Sequence, residues 1–311
     1  MIEKIISEKL IKGEKNAIII GGPTCSGKSS LALDLTESFD SEIVSADSMQ
    51  IYKGMDIGTA KESKEVRAEI PHHMIDIIEP WENYSAYNYK EDALKSISDI
   101  ISRGKIPIIC GGTGLYINSL LDNRDFGENV NDNFEDSEIF KMNPFTAYTE
   151  LQKKDPEAAA TLHPNNEKRV KRMLYLYDTT GKTREERNIE SKVNKGDINY
   201  ILCLIMPDRD KLYAKIDQRV DLMLKSGLRN EFKDVYEACL REKGEEALKL
   251  TSLAAIGYKE FIPYYDNISS PLVDEIVRDQ IKLNTRHYAK RQYTWFKRTA
   301  TEFSGIVLED I

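Results

Sequence analysis

Cysteine is scarce in this 311-residue sequence, and Cys25, Cys110, Cys203 and Cys239 lie far apart with no C-x-x-C pair among them. That spacing argues against a disulfide framework and against zinc ligation. Cys110 and Cys203 fall on predicted buried strands, where a thiol acts as a small hydrophobe. The four histidines, His72, His73, His163 and His287, show no metal-ligand spacing. No apolar run approaches the ~18 residues needed to span a membrane. Residues 1–9 carry acidic side chains and lack the apolar stretch of a signal peptide, so a cytoplasmic location is expected. No internal repeat or low-complexity tract is present. Acidic residues outnumber basic ones, 52 to 44, for a net charge of −8. That balance excludes a non-specific nucleic-acid coat but leaves room for a local basic groove.

Apolar residues make up 41% of the chain, enough for one large or two ordinary domains with buried cores. The most informative stretch is Gly22-Pro23-Thr24-Cys25-Ser26-Gly27-Lys28-Ser29, which fits G-x-x-x-x-G-K-[ST], the phosphate-binding P-loop. An apolar run at 17–20 predicts a strand before it, and residues to about 39 a helix after it. Glycines let a backbone wrap closely around an anion, with successive N–H groups and a helix N-terminus pointing at it. Lys28 adds a point charge, and the Ser29 hydroxyl is suited to a magnesium ligand.

Further along, strands are expected at 42–45, 73–78, 106–110 and 200–206, with a short last one at 304–308. Helices are expected at 84–103, 115–121, 209–225, 228–242, 252–265 and 272–298. Residues 1–15 read as a polar lead-in with one frayed helical turn, and 53–72 as a loop with some helix. Strands alternating with helices imply an α/β fold, a doubly wound parallel sheet with ligands at the carboxyl ends of its strands. The P-loop, Asp47 and Thr113 each directly follow a strand and therefore converge on one rim. Residues 122–143 are polar and acidic, including Asn123, Arg124, Asp125, Glu128, Asn129, Asn131 and Asp132. They lead into an inserted helical unit with helices at 145–153, 156–163 and 167–179. The expected division is a P-loop core of 1–121 and 191–311 with an inserted helical domain of 122–190.

Several of these residues admit two readings. Asp47 on the rim is placed to take a proton or hold a metal-bound water, but an Asp there also caps a following helix. Arg219 is either a site residue or part of a solvated helix face. Lys168, Arg169, Lys171 and Arg172 are dense in positive charge, and Arg169 and Arg172 share a face that suits backbone phosphates. The helix at 272–298 interleaves Arg286, Lys290, Arg291, Lys297 and Arg298 with Tyr288, Tyr293 and Trp295. That mixture suits nucleic-acid contact, or equally a core-packing helix with a basic outer face.

Taken together, the motifs resemble the tRNA dimethylallyltransferase family. The matching stretches are the P-loop, residues 45–61 (Ser45, Asp47, Ser48, Gln50, Tyr52 and onward), Pro71-His72-His73 and Gly111-Gly112-Thr113-Gly114-Leu115-Tyr116. His163-Pro164-Asn165-Asn166, Ile256-Gly257-Tyr258-Lys259 and the 285–295 segment also match. The resemblance runs in order over about 17–298. It implies a P-loop NTPase-like core and prenyl transfer from dimethylallyl diphosphate to N6 of adenosine 37, beside the tRNA anticodon. The loop would then hold a leaving diphosphate, with Mg2+ on Ser29. Asp47 matches the family's general base, Thr24 its P-loop threonine and Arg219 its second diphosphate-binding residue.

The target base in this family is flipped into a channel. Asp47, Ser48, Met49, Gln50 and Thr113 would contact it. The segments Lys168-Arg169-Val170-Lys171-Arg172 and Ala254-Ala255-Ile256-Gly257-Tyr258-Lys259, with Arg286, Lys290 and Arg291, match further contacts to the anticodon stem-loop. Two departures concern RNA contact rather than chemistry. The insert between about 125 and 148 is short for the family, and Ala254 stands where a Gln or Arg is usual. A monomer of bacterial type, without a C-terminal zinc finger, is expected. The resemblance leaves rivals in view: an adenylate isopentenyltransferase acting on free nucleotides, a P-loop small-molecule kinase, and an RNA-binding protein with a relic P-loop.

Overall fold

A computed structural model describes residues 2–122, 134–193 and 196–309. The acidic stretch at 123–133, with Asn123, Arg124, Asp125, Glu128, Asn129, Asn131 and Asp132, lies outside the described residues. In order come α1 (Ile2–Lys9), β1 (Lys15–Gly21), α2 (Lys28–Ser38), β2 (Ser41–Ser45), α3 (Lys64–Glu69), β3 (His72–His73) and α4 (Ala86–Ser102). Next are β4 (Ile106–Gly111), α5 (Gly114–Leu121), α6 (Glu138–Lys141), α7 (Pro144–Lys154), α8 (Pro156–Ala160), α9 (Glu167–Thr180) and α10 (Arg184–Val193). The chain continues with β5 (Ile198–Ile205), α11 (Arg209–Lys225), α12 (Leu228–Lys243), α13 (Pro271–Glu302) and β6 (Ile306–Leu308).

The strands form one sheet in the order β3-β2-β4-β1-β5-β6, and every pairing is parallel. β1 lies between β4 and β5, and Ile18, Ile19 and Ile20 are fully buried. Burial on both faces is why this strand reads as a continuous apolar run instead of alternating. Gly21 pairs with Gly111, and Ser45 with Cys110, so the carboxyl ends of β1, β2 and β4 share one rim. The loops that follow those ends carry the candidate site residues.

Two compact units emerge, one of Met1–Ile117 with Ile198–Ile311, the other of Asn118–Asp197. In the first, α13 buries a stripe of Val273, Val277, Ile281, Thr285, Ala289, Gln292, Phe296 and Thr299, at steps of three and four. In the second, Ala147, Leu151, Ala159, Val170 and Leu174 form a small core between α7, α8 and α9. The buried Asp155 caps α8 through Ala158 N at 3.0 Å and accepts from Arg184 N at 2.7 Å, tying α8 to α10.

Three expectations need correction. Residues 2–9 form two full turns rather than one frayed turn, because Ile6 docks into the core beside Ile18, Ile20, Leu31 and Leu35. The strand expected at 73–78 is only His72–His73. Met74 and Asp76 adopt φ of 63° and 56°, which ends the strand. The chain then runs along residues 50–52 instead, with Ile77 N donating to Ile51 O at 2.8 Å. Residues 252–265 are not a helix: tight turns lead into a 3-10 segment, Ile262–Asn267, because Gly257 has φ of 98°. α10 was not expected from its sequence, whose polar REERNIESKV offers few apolar positions.

Candidate active site

The P-loop turns away from β1 at Gly22, whose φ of 149° and tight surroundings admit no side chain: an added Cβ would meet Ile205 O at 2.4 Å. Gly27, with φ of 94°, opens α2. Cys25 is held at φ of 61°, a left-handed conformation uncommon outside glycine. Pro23 O accepts from Lys28 Nζ at 2.6 Å and from Ser26 N at 3.3 Å, so the loop closes on itself. The Ser26 hydroxyl is buried with no hydrogen-bond partner. Burial pulls the Lys28 ammonium below its usual pKa range, opposed by the nearby Cys110 and Asp47 and assisted by Arg219. Ser29 is exposed at the first turn of α2.

Two side chains from distant helices fasten this loop. Arg219 Nη2, on α11, donates to Thr24 Oγ1 at 2.6 Å, which places Arg219 in the site and not on a solvated face. Its buried Nε has no partner. Gln292, on α13, accepts from Thr24 N and donates to Gly112 O, both at 2.8 Å. One amide thereby joins the loops after β1 and β4. The sequence reading missed it, although a signal existed: Gln292 is a polar residue inside the apolar stripe of α13, and a buried amide requires partners.

Asp47 caps no helix. Its Oδ1 accepts from Met49 N at 2.9 Å, fixing a turn after β2. Ser48 N donates to Thr113 Oγ1 at 3.0 Å, and Thr113 N to Ala46 O at 3.0 Å, so Thr113 braces that turn. Gly111 is needed where the two loops touch, since a Cβ there would sit 2.2 Å from Ala46 O. Ser45 Oγ donates to Gln50 Oε1 at 2.8 Å. The charge of Asp47 acts on Lys28 and also on Tyr288, whose phenol is pushed up first by burial and then by that carboxylate.

These groups enclose one cavity of about 490 Å3. Thr24 to Ser29 supply one wall, and Asp47 to Gln50 another. Met49, Val220, Met223, Ile256 and Ile281 give it an apolar side. Ala254, Ala255, Ile256, Gly257 and Lys259 line it, as do Tyr288 and Arg291. Arg291 lies 5.7 Å from the Tyr288 ring, and Lys290 is exposed.

Other expected contact residues are placed differently. Tyr258 is fully buried, and its hydroxyl donates to Glu231 Oε1 at 2.6 Å. Arg286 is paired through its guanidinium with Asp217. In the second unit, Lys168 and Arg169 are exposed, but Val170 is fully buried in the small core. Lys171 is buried as well, its Nζ donating to Phe140 O at 2.8 Å and to Glu167 Oε1 at 2.5 Å. Arg172 lies over the rings of Phe134 and Tyr175, at 5.2 and 5.8 Å. Of the run at 168–172, only Lys168 and Arg169 thus present exposed charge, because helical spacing turns Val170 and Lys171 inward.

The sequence pattern of the family described as IPP transferase matches residues 50–299, and that of isopentenyl transferase residues 15–70. A tRNA dimethylallyltransferase from Bacillus subtilis is 44% identical over 284 residues, covering 90% of this chain and 87% of that protein. A solved tRNA delta(2)-isopentenylpyrophosphate transferase from Staphylococcus epidermidis superposes with a TM-score of 0.64 at 40% identity, over 95% of this chain and 93% of that one. A eukaryotic dimethylallyltransferase crystallised acting on tRNA gives a TM-score of 0.79 at 31% identity, over 95% of this chain and 74% of that one.

Proposed function

The chain belongs to the IPP transferase family of tRNA dimethylallyltransferases, and on that premise we propose that it moves a dimethylallyl group from dimethylallyl diphosphate to N6 of adenosine 37 in tRNA. The products are N6-(dimethylallyl)adenosine and diphosphate. One observation carries this reading: a phosphate cradle and a carboxylate, Asp47, line the same cavity with an apolar wall beside them. A kinase site needs room for an acceptor hydroxyl at a terminal phosphate. Prenyl transfer needs an anion cradle, a greasy slot and a proton acceptor, which is the combination present.

In the proposed mechanism Lys28, the loop amides and Arg219 bind the diphosphate, and Arg219 also orients the Thr24 hydroxyl toward it. The N6 lone pair forms the new bond to C1 of the dimethylallyl group as the C1–O bond breaks. The bonding electrons leave with the diphosphate oxygen, whose growing charge the cradle is preorganised to stabilise. The N6 proton passes to the Asp47 carboxylate. Met49, Val220, Met223 and Ile281 exclude water from the electrophilic carbon, which water would otherwise capture.

Magnesium fits as a partner of the diphosphate. No cluster of three or more His, Cys, Asp or Glu suited to a metal exists among the described residues, so the ion has no all-protein cage. Ser29 offers an exposed hydroxyl beside the cradle, which suits an ion held chiefly by phosphate oxygens and water. When bound, it neutralises charge on the leaving diphosphate.

The RNA side of the proposal rests on exposed Lys259, Lys290 and Arg291 in the first unit and Lys168 and Arg169 in the second. A monomer acting in the cytoplasm completes it; no helix among the described residues is long and apolar enough to cross a membrane. The test is transfer of labelled dimethylallyl diphosphate to an anticodon stem-loop containing A36-A37-A38, run beside AMP. Label on A37 alone supports the proposal, and label on AMP would move the chain to free-nucleotide prenylation.

A further inference from the structure

Gly58, Thr59 and Ala60 line the cavity, yet residues 55–60 contain neither helix nor strand. Something else must hold that wall in place. Glu231, on α12, accepts from the consecutive backbone N–H groups of Asp56 at 2.8 Å, Ile57 at 2.7 Å and Gly58 at 2.8 Å. Its fourth partner is the Tyr258 hydroxyl, at 2.6 Å. A carboxylate gripping three successive amides is an anion nest occupied by the protein's own side chain, built from charge-assisted bonds. Gly58 is compressed against Tyr258, where an added Cβ would lie 2.4 Å from the ring. Lys61 Nζ ties down the other end through Tyr52 O at 2.7 Å and Asp56 Oδ1 at 2.8 Å.

The clasped loop in turn reaches the carboxylate of the site. Gln50 Nε2 donates to Thr59 O at 3.2 Å and to Ala60 O at 3.4 Å, while Gln50 Oε1 is held by Ser45. Gln50 ends the turn that Asp47 begins. We infer that Glu231 is a positioning residue for prenyl transfer, clasping the backbone of 56–58 so that the cavity wall and the Asp47–Gln50 turn keep their geometry. This rests on the transferase reading above, with Glu231 itself outside the cavity. The P-loop is fastened separately, by Gln292 and Arg219, so the clasp governs one wall and leaves the anion cradle alone.

That separation gives the test a readout that a general stabilising role does not move. In Glu231→Gln, one acceptor oxygen becomes an amide donor facing backbone N–H groups. Misplacement of a reacting group by about 1 Å costs on the order of 100-fold in rate, so kcat should fall 10- to 100-fold. Affinity for inorganic diphosphate should stay within about twofold. Hydrogen exchange should accelerate in a peptide covering 55–60 and remain as in wild type in one covering 22–29. Glu231→Asp keeps the charge but withdraws it by one methylene, and should give the same split at smaller size; it also serves if the Gln variant does not fold. Unchanged kcat with the clasp broken would overturn the inference, as would equal loss of protection in both peptides. Absence of RNA prenylation by the wild-type protein would instead overturn the transferase reading.

Discussion

Replacing Gln292 by methionine nearly conserves side-chain volume while removing both amide bonds that join the loops after β1 and β4. Thr24 N loses Gln292 Oε1, and Gly112 O loses Gln292 Nε2. The two losses are unequal. Thr24 is half-buried and lines the cavity, so water can replace its acceptor at small cost. Gly112 is buried, and its carbonyl is left to bear a desolvation penalty of about 1–3 kcal/mol. With one ordinary hydrogen bond of about 1 kcal/mol lost at Thr24 N, the total is about 2–4 kcal/mol. Equilibrium urea unfolding measures this directly, because both tryptophans, Trp81 and Trp295, belong to the unit that contains Gln292. The variant should also bind inorganic diphosphate more weakly, since Thr24 is no longer held from two sides. A stability change under about 0.5 kcal/mol with unaltered diphosphate affinity would refute the bridging role of Gln292.

Asp47→Ala should fold and bind tRNA but lose most transfer activity, about 100-fold or more in kcat; near-wild-type turnover would remove Asp47 as the base. Affinity for tRNA should fall roughly 100-fold between 50 and 200 mM salt if about four phosphates are neutralised, and a flat response would count against Lys168, Arg169, Lys290 and Arg291 as phosphate contacts. Glu42 provides a pH test. The Arg103 guanidinium, with His73 and Lys105, holds its carboxyl down to about 2, against the opposing effect of burial. A depressed folded-state pKa means that its stabilisation is complete above the ordinary 4.5 and disappears as pH falls towards 2. The Tm difference between wild type and Glu42→Gln should therefore be largest near neutrality and shrink across that window; a constant difference would contradict the pairing.

The parts of the site legible in the sequence were those carried by contiguous chain. The P-loop announces itself because its glycines, Lys28 and Ser29 are neighbours, and Asp47 and Thr113 because each follows a strand that is buried on both faces. Residues that act from distant helices were harder to read. Gln292 stood out only as a polar residue within an apolar stripe, and nothing local distinguishes Glu231 from other carboxylates; their partners lie 180 and 175 positions away. Arg219 was a candidate from its place after the last core strand, but only the resemblance assigned it to the site, because its partner Thr24 is 195 positions away. The misread elements share a different cause. Left-handed residues Met74 and Asp76 cut short an apolar run that looked like a full strand, and Gly257 breaks what looked like a helix into turns. At 168–172, a dense basic run concealed the helical period that buries Val170 and Lys171.

The central claim is that the P-loop holds a diphosphate that leaves, not a phosphoryl group that is transferred. A single quenched turnover of enzyme with dimethylallyl diphosphate and the anticodon stem-loop measures it most directly. Inorganic diphosphate and prenylated A37 should appear in equal amounts and at the same rate. Prenylation absent, with label from ATP appearing on an acceptor as phosphate, would contradict the account and make the cavity a kinase site.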